Sequence, residues 1–160
     1  MAVMVSYLIW AKLHPSQLFV VLSAHSPNVA ACCSEDRNNK HHQCESALMA
    51  LMNTEISNAK ENGDLKLPSG MCFEQVTFAL WSTAWGAMAL VTSKGNSPKL
   101  NPMLLERETF TNTRLLLDGF KWLPLSNEWD YSDSIRRITE EIFQPEIDLL
   151  KQKQTPFIFI

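Results

Sequence analysis

The chain has 160 residues, 46% of them hydrophobic and 19% charged, with a formal net charge of -3. That length suits one domain, and folding at this size buries roughly 68–70% of the unfolded surface, which excludes dependence on a disulfide or metal staple. The composition excludes a disordered tail, and Lys and Arg scattered among Asp and Glu exclude the basic stripe of a chain that wraps nucleic acid.

Residues 1–13 place Met4, Tyr7, Leu8 and Trp10 near helical spacing, and His14-Pro15 ends the helix because the residue before proline avoids the α region. Pro15 suits the first turn of a second short helix carrying Leu18, Phe19 and Leu22, which Ser26-Pro27-Asn28 closes. Residues 1–24 are apolar enough to suggest a secretory leader. They lack a basic opening, however, and carry Lys12, His14 and Pro15 inside the apolar run, so a cytoplasmic chain with reduced thiols is the expectation.

A long helix is predicted from about Glu35 to Asn62, capped by Ser34, with Glu35 and Asp36 in its first turn and Gly63 as its stop. Its apolar positions are Cys44, Ala47, Leu48, Leu51, Met52, Ile56 and Ala59, and its first half is polar enough to be a loop. The next helix runs from Ser69 to Lys94 and is apolar on three sides. Phe73, Val76, Leu80, Ala84, Ala87 and Val91 form one, Phe78, Trp81, Trp85 and Met88 a second, and Ala79, Thr83, Gly86 and Leu90 a third, small enough for another backbone to approach. It falls short of the roughly 20 apolar residues that span a bilayer.

Asn101-Pro102 signals the start of an amphipathic helix to about Trp122. Leu105, Thr109, Phe110, Thr113, Leu116, Leu117 and Phe120 share its apolar face, and Arg114 and Asp118 stand at ion-pair spacing. Glu106 falls near the apolar side, as a ligand-facing group or an ion-pair partner. A last helix begins near Asp130 with Asp133 as a capping-box partner, and buries Ile135, Ile138 and Ile142. Pro145 kinks or restarts it. The expected architecture is all-α, an antiparallel bundle of about six helices, with one domain over residues 1–152 and an apolar tail over 153–160 that either packs or is exposed.

Several of these segments resemble the C-terminal ligand-binding and dimerisation region of TetR-type transcriptional regulators. The stretch from Tyr7 through Trp10 and Pro15 to Leu18-Phe19 is similar to the opening helix pair of that region, and Asn62-Gly63-Asp64-Leu65 to the end of its long helix. Phe78 to Gly86 is similar to the Leu-Trp-and-Gly stretch of a helix contributing to the family's dimer interface, with Trp85 where His is frequent, and Leu115 to Phe120 resembles the end of the next helix. The likeness extends from Val3 to about Phe143.

The family's helix-turn-helix has no counterpart here, so the resemblance implies the effector half of a repressor, with DNA bound only through a missing N-terminal part. It implies an apolar or amphipathic small-molecule effector among Trp10, His14, Phe19, Leu22, Met49, Met52, Phe78, Trp81 and Trp85, although such side chains at helical spacing are more often ordinary core. It also implies a homodimer. For that pairing the residues propose Ala79, Thr83, Gly86, Leu90, Leu105, Thr109 and Leu116 as the contact set, the alternative being that the chain's own helices cover these faces.

Two other classes compete. Cys32, Cys33, His41, His42 and Cys44 offer metal or redox sensing, but Cys32 and Cys33 are adjacent, unlike the two-to-four-residue spacing of zinc pairs, so no metal and no cofactor is expected. A helical adaptor would dock another protein with the same apolar helix. No phosphate loop, nucleophile elbow or zinc-protease motif appears, and no enzyme is expected.

Overall fold

The computed structural model describes residues 1–24, 26–92 and 102–159. Among them the chain is an all-helical bundle: α1 (Ala2–Leu13), α2 (Pro15–Ala24), α3 (Pro27–Cys32), α4 (Glu35–Glu61), α5 (Phe73–Thr92), α6 (Leu105–Gly119), α7 (Tyr131–Arg137) and α8 (Gln144–Gln152). A π turn, Ile138–Ile142, continues α7. The only β feature among these residues is an isolated bridge between Leu65 and Trp122. The helices α4, α5 and α6 lie side by side, with α5 between the other two, and α1 packs on α2 and α8.

Among the described residues eight α-helices stand where about six were expected, for local reasons. The second helix ends at Ala24, before Ser26-Pro27-Asn28 as expected, but Pro27 also opens α3 as its first residue, a position where the missing N–H costs nothing. The last helix divides at Phe143 (φ -111°, ψ 22°), after the π turn, and α8 restarts with Pro145 in its first turn. The start of α5 moves from Ser69 to Phe73, because Gly70 at φ +83° leaves the helical region. Residues 93–101 lie outside the described part, so Lys94 and the Asn101 cap do too; α6 proper starts at Leu105.

The polar first half of α4 is helical, with Ser34 accepting from the Arg37 N–H at 3.4 Å. Its two buried residues, Ile56 and Ala59, lie toward the far end. Gly63 stops it as expected, at φ +83° with its N–H donating to the Lys60 carbonyl. On α6 the predicted Arg114–Asp118 pair gives way to other contacts: Asp118 accepts from the Ser126 N–H and hydroxyl, and Arg114 lies over the Phe110 ring. Asp133 pairs with Arg136 at 3.0 Å, while Asp130 caps α7 by accepting from the Ser132 N–H.

Three clusters make the core. Val5 and Ile9 of α1 meet Phe110, Tyr131, Ile135 and Leu150; Leu8 and Ala11, on α1's other side, meet Leu18, Met88 and Leu105. The third joins Ile56, Ala59, Leu65, Val76 and Phe120. Each fully buried Leu or Ile here contributes about 1.5–3 kcal/mol relative to exposure.

The tail packs. Phe157 and Phe159 lie against both the first and second clusters, while Ile158 stays exposed. Polar groups hold it too. Glu106, 1% exposed, pairs with Lys12 (20% exposed) at 2.5 Å. Lys12 Nζ also donates to the Pro156 carbonyl at 2.7 Å, and the Ile158 N–H donates to Glu106 Oε1 at 3.4 Å. Glu106 is thus an ion-pair partner that ties the tail to α1 and α6.

Candidate functional site

Leu48, Leu51, Met52, Glu55 and Ile56 recur on α4 at i, i+3, i+4, i+7 and i+8, one face of the helix. Only Ile56 of these is buried, and Leu51 is 48% exposed, so the rest of the stripe meets open space rather than another helix. That space is a cleft of about 510 Å³. Across it α1 contributes Met4 and Tyr7, α5 contributes Leu80, Trp81 and Ala84, and α6 contributes Thr113 and Leu117. The segment after α6 closes one end with Trp122, Leu123 and Pro124, backed by Tyr131. The size matches small-molecule sites, which commonly occupy about 300–1,000 Å³ between elements and are mostly apolar.

The polar inventory is short. Tyr131 donates its hydroxyl to the Pro124 carbonyl at 2.5 Å, which fixes that wall and uses up the group. Burial holds its pKa above the ordinary tyrosine value, and the charge of Asp118 adds to the effect. The Tyr7 ring stacks on Trp10 at 5.7 Å and 5°. Burial, with help from Glu45, pushes its hydroxyl pKa up to about 12, so it stays a neutral hydrogen-bonding group. Among the lining residues Glu55 carries the only side-chain charge; it is exposed, which puts it at the mouth. The α-amino group of Met1 shares the cleft, its pKa lowered by burial against the opposing field of Glu55.

A second concavity of about 650 Å³ lies between α5 and α6. Thr83, Gly86 and Leu90 line it from α5, and Glu108, Asn112, Leu115 and Leu116 from α6. Leu90 and Leu115 are exposed there.

The structure divides the expected residues unevenly. Of the proposed ligand set, Met52 and Trp81 line the cleft. Trp10 and Leu22 pack on the second core cluster, because that side of α1 and α2 faces Met88 and Leu105. Phe19 (71% exposed) and Phe78 (65% exposed) lie on the surface, and His14 is exposed beside Trp10. Trp85 meets Trp81 edge-on at 5.7 Å, and Met49 is half-buried beside the stripe rather than on it. Tyr7, Leu48, Glu55 and Leu117 line the cleft without having been singled out; for α4 the signal was the i, i+3, i+4, i+7 stripe itself.

Of the pairing set, Thr83, Gly86, Leu90 and Leu116 share the α5–α6 concavity. Ala79 packs against the third cluster, and Leu105 and Thr109 are buried inside the chain, where they present no surface to a second copy. His41 and His42 lie 3.4 and 3.6 Å from Glu45, and the four cysteines are free. Among the described residues no three His, Cys, Asp or Glu side chains gather as a metal site, and no helix is long and apolar enough to cross a membrane.

No family model, curated protein or solved structure matches the chain.

Proposed function

We propose that this chain is the effector-binding and dimerisation domain of a TetR-type transcriptional regulator, taking an apolar or amphipathic small molecule and relaying it to a DNA-binding unit outside this sequence. The observation that carries the reading is the cleft of about 510 Å³, walled by four helices and lined by one charged side chain. An apolar cleft of that size between helices is the usual setting of a small-molecule site. It shares α5 and α6 with the outer concavity, so a guest against Trp81 and Ala84 bears on the same helix that carries Thr83, Gly86 and Leu90. Such a shared rigid element is the physical requirement for coupling, typically about 1–3 kcal/mol, between a ligand and a partner.

In the dimer of this proposal, the α5–α6 surface meets its two-fold mate. A Cβ added at Gly86 meets nothing within 4 Å, so the first atom of a larger side chain has room there, and Gly86→Trp, with its Tm compared with the parent's, tests the pairing. Sedimentation equilibrium at micromolar concentration is expected to give a dimer, weakened by Gly86→Trp. A stable monomer would refute the pairing. Native mass spectrometry of the purified protein tests the cleft, with a retained small molecule as the expected result.

A further inference from the structure

We infer that Cys32 and Cys33 form a dithiol site for trivalent arsenicals, the two sulfurs closing on one arsenic atom at the turn between α3 and α4. The site is separate from the cleft and does not depend on the effector-binding reading.

Both cysteines are free and adjacent in the chain, and the peptide between them is trans. Their Cα atoms therefore stand about 3.8 Å apart, short of the roughly 4.4–6.8 Å that a disulfide spans. The pair is held from closing on itself and stays a dithiol. One further atom between the sulfurs lengthens the bridge and relieves that constraint. A tetrahedral metal ion fits less well, since it wants four ligands and, among the described residues, no three His, Cys, Asp or Glu side chains gather. Trivalent arsenic needs only two soft thiolates beside its own substituent.

The backbone fixes the pair where reagents reach it. Cys32, the last residue of α3, is exposed, and Cys33 is half-buried in an extended conformation (φ -85°, ψ 152°). The Cys33 N–H donates to the Ala30 carbonyl at 3.2 Å, and Asn38 Nδ2, from α4, donates to the same oxygen at 3.0 Å. With an organic arsenic(III) oxide each sulfur forms a bond to arsenic and gives up its proton. The two protons leave with the arsenic-bound oxygen as water; arsenic stays trivalent and nothing is oxidised or reduced. The first bond makes the second intramolecular, at an effective concentration on the order of millimolar, so a monothiol competes poorly and a dithiol well.

The test treats the folded, reduced full chain with phenylarsine oxide and reads its intact mass. One phenylarsenic group per chain is expected, retained in excess 2-mercaptoethanol and removed by dithiothreitol. Cys32→Ser and Cys33→Ser should each retain at least about tenfold less, with Tm and far-UV spectra matching the parent because neither thiol is buried. Cys44 and Cys72 have no cysteine beside them in the sequence, and their serine variants should retain the group in full. A parent that keeps no arsenic, retention that survives Cys32→Ser or Cys33→Ser, or loss in Cys44→Ser or Cys72→Ser overturns the assignment. So does a parent monomer two hydrogens lighter after exposure to air, restored by reductant and not seen in Cys32→Ser, because the pair then closes on itself.

Discussion

Replacing Lys12 with methionine keeps most of the side chain's apolar stem and removes the charge that faces Glu106. The carboxylate left behind is 1% exposed, so water cannot take the ammonium's place in full. Breaking a fully buried ion pair from one side typically costs 3–5 kcal/mol; because Lys12 is 20% exposed, some solvent reaches this pair, and we expect about 2–3 kcal/mol. Glu106→Gln should cost less, about 1 kcal/mol, since it leaves the cation on the side nearer water and keeps an acceptor for the Ile158 N–H. The double variant should fall short of the sum by at least about 1 kcal/mol, because each change removes the same interaction. Urea unfolding of the four proteins, read from their midpoints at a common slope, closes this cycle. Additive single changes, or a Lys12→Met protein as stable as the parent, would refute the claim that a buried charge pair fastens the tail.

Other outcomes follow from the same packing. Tyr7 has a pKa near 12 when folded against 10.0 in the free side chain, so its contribution is intact below pH 10 and lost as pH climbs through 12. About 2 kcal/mol should disappear over that window, and Tyr7→Phe should flatten the profile in urea titrations at successive pH values, with Tyr131 leaving a smaller dependence of the same sign. Ile56→Ala, at a site 1% exposed in the third cluster, should lower unfolding free energy by about 2–4 kcal/mol. Gly63→Ala should cost about 1 kcal/mol despite open space around the position, because φ is +83° there; a neutral result would show that the turn after α4 relaxes.

Helix content was legible from punctuation that acts locally. Ser34, Gly63 and Asp130 each impose their effect within a few residues, and the structure uses all three where expected. The cleft was only partly legible, because periodicity identifies an apolar stripe without saying whether protein or empty space faces it. Leu48 and Ile56 lie on one stripe and both border the void, yet only Ile56 is also buried in the third core cluster. On α1 the choice between Tyr7 and Trp10 depended on which neighbour occupies each side, a long-range fact; the two rings stack, and only one lines the cleft. Leu105 and Thr109 read as surface because α6 was assigned one pairing face, whereas α1 and the tail arrive from distant parts of the chain to cover that side.

The fastening of residues 156–158 to Lys12 and Glu106 also bears on the order in which the molecule can assemble during synthesis. The helices α4, α5 and α6 are consecutive in the chain and can find one another as they emerge, since each packs on the next in sequence. The helix α1 can meet α2 at once, through Leu8, Ala11 and Leu18, but Val5 and Ile9 on its other side wait for Phe110, Tyr131, Ile135 and Leu150, so that side stays uncovered until those later segments are made. Shielding of that side of α1 in the nascent polypeptide, rather than any late rearrangement, is where chaperone dependence of this fold should concentrate.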